Sequence, residues 1–187
     1  MTSPSSLVPQ SRRRLAGVIF ALGLAAGACS GDGDVLKLTD EPTPVQDIQT
    51  DDAVGSEVDL TYVTFDDGVS NFTAYAGKPL VINFFARTCP PCVSEMREFE
   101  AVYTDFGGDV AFVGVSTDPR KQDAQILIEE TGVTYDLGWD PEAQLFVEFG
   151  GFAMPTTVFV TADGIVHEIW SGVLNAADLT AKIEESS

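Results

Sequence analysis

The sequence has little of three residue types on which many binding functions depend. Its 187 residues include one histidine, three cysteines, and ten lysines and arginines against 29 aspartates and glutamates. The formal net charge of −19 excludes an unaided nucleic-acid binder, because phosphate contacts need a basic face. It equally excludes a polybasic membrane-binding surface. The hydrophobic share of 44% is enough for one packed domain with a tail.

The apolar run near the start of the chain is too short to cross a bilayer. Residues 15–28 (LAGVIFALGLAAGA) make a run of fourteen, whereas a membrane-spanning helix needs about 20 residues. Three arginines at positions 12 to 14 precede the run, and small residues close it. This pattern predicts a secretory signal peptide over residues 1–28. A faint resemblance to a twin-arginine signal leaves the export route open.

Cys29 follows the predicted signal directly. The segment 26–29 (AGAC) resembles a bacterial lipobox, in which the cysteine becomes the lipidated N-terminus. The alternative is an ordinary cleavage site with an incidental cysteine. An odd number of cysteines in an exported protein needs an explanation, and lipidation of Cys29 leaves an even pair. We therefore expect attachment to the membrane through a lipid anchor, on its extracytoplasmic face.

The next segment, residues 29–57, is acidic and lacks apolar periodicity. Its composition predicts a disordered tether, which holds the following domain off the membrane or serves only solubility. Residues 58–187 then alternate strand and helix signals, and no internal repeat is evident. The predicted strands are 60–65, 69–73, 80–86, 110–115, 157–161 and 165–170; the predicted helices are 93–106, 121–130, 141–149 and 176–183. This order predicts an α/β domain with a mixed central sheet and an N-terminal β-hairpin.

Cys89 and Cys92 lie between a buried strand and an amphipathic helix, in the segment CPPC. In parallel sheets, active sites are built at the carboxyl ends of strands. A thiol at a helix N-terminus meets the helix dipole, which favours the thiolate. The pair is therefore interpreted as a redox-active disulfide, with no other cofactor.

Three other interpretations of the cysteine pair are weaker. A structural disulfide usually closes a longer loop, because a two-residue loop constrains little. A zinc site needs two further ligands, and the one histidine, His167, lies in a predicted strand with a structural role. Buried core thiols do not explain the two prolines between them.

Three segments together resemble the thioredoxin-fold thiol–disulfide oxidoreductases, in particular their membrane-tethered TlpA/ResA-like branch. They are residues 81–96 (VINFFARTCPPCVSEM), 113–118 (VGVSTD) and 151–159 (GFAMPTTVF). The resemblance covers about residues 58–185 and implies a thioredoxin-like fold with a central insertion, at about 118–140. Thr88, Phe85 and Arg97 depart from frequent family residues, which puts the shape of the substrate surface in doubt.

The resemblance also implies roles for residues around the cysteines. Pro155 matches the family's cis-proline facing the CxxC segment, with the alternative of a plain loop proline. The backbone of Met154 then pairs with a substrate peptide as an added strand, and Pro90 and Pro91 complete that surface. Glu95 matches a glutamate that tunes proton transfer, with the alternative of an ordinary surface glutamate. Plain thioredoxins carry a buried acid where this chain has Asn83, which cannot relay a proton.

The function expected is a lipid-anchored, extracytoplasmic thiol–disulfide oxidoreductase acting as a monomer on exported proteins. The resemblance implies a membrane electron donor or acceptor and a role in cytochrome c maturation. A peroxiredoxin-type thiol peroxidase is one alternative, although the spacing around Arg87 does not supply its activating residues. A copper-delivery protein of the Sco type is another, although its cysteine spacing is three rather than two. The direction of electron flow stays open.

Overall fold

The computed structural model describes residues 53–187. The predicted signal peptide, Cys29 and all but the last five residues of the predicted tether lie outside this part of the chain. The strands are β1 Thr61–Thr64, β2 Val69–Asn71, β3 Leu80–Phe85, β4 Ala111–Ser116, β5 Asp136–Trp139, β6 Thr156–Val160 and β7 Val166–Ser171. The helices are α1 Pro90–Phe106, α2 Lys121–Thr131, α3 Gln144–Glu148 and α4 Ala176–Glu185, with a 3₁₀ turn at Phe72–Tyr75.

The seven strands form one mixed sheet in the order β2-β1-β5-β4-β3-β6-β7. Strand β4 lies parallel to both β3 and β5, and the remaining neighbours pair antiparallel. The central strands β3, β4 and β6 are buried on both faces, as near-continuous apolar runs predict. The predicted thioredoxin-like α/β fold with its N-terminal hairpin is confirmed.

Each face of the sheet covers its own hydrophobic core. On one face, α1, α2 and α4 pack over β3 and β4 and bury Met96, Phe99 and Leu127. On the other face, Phe72 and Phe149 pack with Phe84 among aliphatic side chains of the central strands. Alternation along β3 sends successive side chains to opposite faces, so one strand supplies both cores.

Two elements differ from the sequence-based prediction. Strand β5 was not predicted; it lies between β4 and β1 and pairs with both. The predicted helix 141–149 is shorter, because Ala143 has a left-handed backbone with φ of 54° and α3 begins only at Gln144. Asp140 still caps this turn, since its carboxylate accepts hydrogen bonds from the backbone N–H groups of Gln144 and Phe146.

The segment before β1 runs beside the β6–β7 hairpin. The Gly55 N–H donates to the Val166 carbonyl at 2.8 Å, and the Val58 N–H donates to the Gly164 carbonyl at 2.8 Å. Glu57 forms an isolated bridge with Ile165. Regular contacts with the sheet therefore begin a few residues before position 58.

Candidate active site

The redox loop, which we define as residues 86–92, comprises the connection after β3 and the first three residues of α1. The Cys89 N–H donates to the Ala86 carbonyl, and the Cys92 N–H donates to the Cys89 carbonyl, both at 3.0 Å. Cys89 is the residue just before α1, and Pro90 and Pro91 occupy its first two positions. Proline is favoured there because the first N–H groups of a helix have no partner within it. A hydrophobic face of α1 then anchors the loop to the core.

A disulfide joins Cys89 and Cys92, with 5.4 Å between their Cα atoms. Both cysteines belong to the hydrophobic core under α1. The exposed fraction is 7% for Cys89 and 0% for Cys92. Cys89 is thus the cysteine that keeps some exposed surface, while Cys92 is fully enclosed in the core under α1.

Glu95 lies one helical turn beyond Cys92, on the same face of α1. It is fully buried, so the alternative of an ordinary surface glutamate is wrong. Its Oε2 accepts a hydrogen bond from Asn83 Nδ2 at 2.9 Å, and its Oε1 accepts one from the Leu174 N–H at 2.9 Å. Its spacing of three residues from Cys92 and four from Phe99, both buried on α1, was the available signal of its burial.

Burial raises the pKa of Glu95 from 4.5 to about 7, against the opposing effect of its two hydrogen bonds. Desolvation penalises the charged carboxylate and so favours the neutral acid. Within residues 53–187, Asn83 Oδ1 is a buried acceptor without a hydrogen-bond partner. Rotation of the Asn83 amide would present this oxygen to the O–H of a protonated Glu95. The site can therefore accommodate both protonation states of the acid.

Two loops complete the site at the same edge of the sheet. The Met154–Pro155 peptide bond is cis, and the Pro155 carbonyl accepts a hydrogen bond from the Gly172 N–H at 2.9 Å. Met154 packs against the core cluster that holds both cysteines. Beside these residues, Phe152 and Val173 are 56% and 50% exposed, although both are large and apolar. The edge of the sheet that carries the disulfide therefore also carries exposed apolar side chains.

Asp118 is a part of the site that the sequence interpretation missed. It lies two residues beyond β4, and both oxygens of its buried carboxylate accept from the Arg87 N–H at 3.0 Å. Its signals were its place at the end of the family-like segment 113–118 and its position beyond the carboxyl end of a buried strand, next to the one that leads to Cys89. His167 lies in β7 with its side chain exposed, away from this group.

The described residues offer little to hold a metal or to cross a membrane. Between residues 53 and 187, no group of three or more His, Cys, Asp or Glu side chains gathers in a metal-binding arrangement. No helix in that same stretch combines the length and the apolar character of a membrane span. The groups with redox or acid–base chemistry that the structure brings together here are the two sulfurs and the Glu95 carboxyl group.

The sheet order, the cis-proline loop and a disulfide at the N-terminus of α1 define a thioredoxin-like protein with a two-cysteine site. Residues 53–169 match the family model described as the AhpC/TSA family, and the chain belongs to that family. The recognition of a thioredoxin-fold oxidoreductase is confirmed by these findings.

Known proteins of the same class resemble the chain over most of its length. The thiol-disulfide oxidoreductase ResA of Geobacillus thermodenitrificans is 28% identical over 136 residues, covering 71% of this chain and 77% of the relative. ResA of Oceanobacillus iheyensis is 29% identical and covers 65% of this chain and 60% of the relative. The solved structure of MTB DsbF superposes with a TM-score of 0.66 at 24% identity, covering 72% of this chain and 99% of that one. The chain is an enzyme of the thiol–disulfide oxidoreductase class.

Proposed function

We propose that this protein exchanges disulfides with exported proteins through the Cys89–Cys92 pair, while a lipid on Cys29 holds it to the extracytoplasmic face of the cell membrane. The observation that carries the proposal is the disulfide at the N-terminus of α1 with its unequal exposure. Cys89 retains 7% of its surface and Cys92 none, so Cys89 is the cysteine that an incoming thiolate is proposed to attack. The two cysteines therefore have distinct roles.

In the reducing direction, the Cys89 thiolate attacks one sulfur of a substrate disulfide. A mixed disulfide forms and the first substrate thiolate leaves. The Cys92 thiolate then attacks the Cys89 sulfur, which releases the second substrate thiol and closes the Cys89–Cys92 disulfide. The substrate gains two electrons and two protons. A membrane protein bearing a thiol pair restores the reduced enzyme by the same steps; oxidation of a substrate runs them backwards.

Glu95 supplies a proton acceptor where Cys92 needs one. It is buried one turn from Cys92, and a pKa of about 7 lets it take up or release a proton near neutral pH. The Cys92 thiol must lose its proton before it can attack Cys89. We assign Glu95 to this step, with Asn83 as its hydrogen-bond partner in the ionised form.

The substrate is proposed to lie across the loop of Met154 and Pro155, beside Pro90 and Pro91. The exposed side chains of Phe152 and Val173 suit a polypeptide with apolar residues near its cysteine. Main-chain pairing at Met154 would give affinity with little sequence preference, as in other cases of strand addition. Cytochrome c maturation is one context for such a substrate. The acidic tether, residues 29–57, would let the domain contact substrates at some distance from the membrane.

The test of this proposal is the trapping of substrates by single cysteine variants. Cys92→Ser should accumulate mixed disulfides with exported proteins, because no thiol remains to resolve them. Cys89→Ser is the matched control and should accumulate none, since its remaining thiol is enclosed. Partner trapping by Cys89→Ser instead would reverse the two roles. Rapid turnover of hydrogen peroxide, or stoichiometric Cu(I) binding that survives thiol competitors, would favour the alternative functions.

The membrane anchor is tested separately. Cys29→Ser should release the protein from the membrane fraction, with its thiol exchange unchanged. Bacterial lipoproteins usually carry more than one acyl chain, which anchors firmly where a single chain would not. Retention of the variant in the membrane fraction would show that the lipid anchor is wrong, and would leave the redox assignment in place.

A further inference from the structure

The buried carboxylate of Asp118 is hydrogen-bonded to the main chain of the redox loop. Both oxygens of Asp118 accept from the Arg87 N–H at 3.0 Å, and Oδ2 also accepts from Ser116 Oγ at 3.0 Å. Arg87 comes two residues before Cys89, whose own N–H is bonded to the Ala86 carbonyl. The main chain that leads to Cys89 is therefore tied to the end of β4 by a charge-assisted hydrogen bond, which is stronger than a neutral one.

Asp118 is itself fixed by neighbouring elements. Its N–H donates to Ser116 Oγ at 3.0 Å, and its carbonyl accepts from Trp139 Nε1 of β5 at 2.7 Å. The Lys121 ammonium lies 5.4 Å from the Trp139 ring centre and pairs with Asp67 of the β1–β2 hairpin. The backbone of Asp118 is thus linked through Trp139 and Lys121 to the β1–β2 hairpin.

Asp140 provides an internal comparison. It too follows a strand end, it is 6% exposed against 4% for Asp118, and it also accepts backbone N–H groups, those of Gln144 and Phe146. The loop that it caps leads into α3 and not to the cysteines. The two carboxylates therefore share their chemistry and burial and differ in the segment that they hold.

Several elements contribute titratable or charged side chains to the edge of the sheet that carries Cys89. Cys92 and Glu95 lie on α1, Arg87 lies in the redox loop itself and Asp118 lies at the end of β4. Of the other loops at this edge, residues 150–155 and 172–175 contain no titratable side chain, while the loops after β4 and β5 add Arg120, Asp140 and Glu142. Pro90 and Pro91 have no N–H with which to stabilise a thiolate. The negative charge of Asp118 therefore acts on Cys89 against two opposing influences, the Arg87 guanidinium and the dipole of α1.

We propose that Asp118 is a positioning residue of this active site: its carboxylate sets the place of Cys89 and its charge disfavours the Cys89 thiolate. This inference rests on the proposed role of Cys89 as the exchanging thiol. A disfavoured thiolate makes the dithiol the less stable form, so Asp118 shifts the enzyme toward the reducing direction. The side chain contacts the backbone of Arg87 and acts through it.

The experiment separates the charge of Asp118 from its hydrogen bond, in the full-length purified protein. Asp118→Asn keeps an oxygen for the Arg87 N–H and removes the charge; Asp118→Ala removes both. Asp140→Asn and Asp140→Ala are the matched controls. Two quantities are measured: the pH midpoint of Cys89 alkylation by iodoacetamide, in a Cys92→Ser background, and the rate of protein-disulfide reduction by the dithiol enzyme.

We expect Asp118→Asn to lower the alkylation midpoint of Cys89 by about 0.5–1 pH unit, with the exchange rate within about threefold of wild type. We expect Asp118→Ala to lower the exchange rate about tenfold or more, because a displaced reacting group loses rate steeply. The Asp140 variants should lower the melting temperature without moving either quantity.

An unchanged midpoint in Asp118→Asn would overturn the role of the charge, whether or not the alanine variant folds. An exchange rate in Asp118→Ala that falls no further than in Asp140→Ala would overturn the positioning role. If the proposed function is wrong, a different variant will show it: Cys89→Ser will exchange disulfides at the wild-type rate.

Discussion

The two faces of β3 differ in what they bury. On the face toward α1, Asn83 meets the carboxylate of Glu95, and the cysteine pair lies in the same core. On the opposite face, Phe84 packs against the rings of Phe146 and Phe149, with centroids 5.5 and 5.9 Å away. A buried carboxyl group lowers stability unless it is neutral or well bonded. Of the two faces of β3, the one with the disulfide also holds the buried Glu95 carboxyl group, which associates that group with function rather than with stability.

The largest effect on stability is expected from the apolar face. Phe84→Ala should lower the free energy of unfolding by about 3–5 kcal/mol, because it opens a cavity among aromatic rings. The pH dependence of thiol exchange by the folded fraction should stay that of the wild type. Denaturant unfolding and exchange rates at several pH values check both statements. A changed pH profile would mean that the two faces are coupled.

The polar face should respond to pH instead. The pKa of Glu95 is raised from 4.5 to about 7, so the folded state holds a proton there that the unfolded chain releases. Protonated Glu95 therefore favours the folded state. Its contribution to the free energy of unfolding is complete below pH 4.5 and is lost as the pH rises through about 7. Glu95→Gln should remove that loss, since its amide can donate to Asn83 Oδ1 and accept from the Leu174 N–H.

We therefore expect Glu95→Gln to be about 1–3 kcal/mol more stable than wild type above pH 7, with the difference shrinking toward pH 4.5. Its exchange rate should not show the increase with pH that ionisation of Glu95 causes in the wild type. Parallel stability curves of the two proteins between pH 4 and 8 would show that Glu95 titrates normally.

The smallest effect is expected on the exposed side of α1. Arg97 pairs with Glu130 at 3.7 Å, and both side chains are about half exposed. Arg97→Ala should change the free energy of unfolding by less than about 0.5 kcal/mol, because solvent screens such a pair. Thermal unfolding checks this value, and a loss above 1 kcal/mol would show that the packing of the Arg97 stem on α1 had been underestimated.

Much of this fold could be predicted because its central elements have strong local patterns. Strand β3 is a continuous apolar run, and α1 carries apolar residues at helical spacing from Met96 to Val102. Strand β5 (DLGW) has only four residues and no alternation. Its conformation is imposed by hydrogen bonding to β4 and β1, so it leaves no local signature. The start of α3 likewise depends on the left-handed Ala143, which no sequence rule anticipates.

The site could be predicted only in part, for a similar reason. The spacing of Cys89 and Cys92 and the helix after them are local features, and they indicated the redox pair directly. The pairing of Glu95 with Asn83 joins residues twelve positions apart across two elements, and that of Asp118 with Arg87 joins residues 31 positions apart. Such contacts follow from the packing of α1 on β3 and from the pairing of β3 with β4, which local sequence patterns do not specify.

The central claim is that the Cys89–Cys92 disulfide cycles in the folded protein. Its most direct test is equilibration of the purified, full-length protein with glutathione buffers of stepped potential, followed by counting of alkylated thiols by mass spectrometry. The account predicts one reversible two-electron transition in which Cys89 and Cys92 appear together while the fold persists. A disulfide that stays closed until the protein unfolds would contradict it and identify a purely structural bridge.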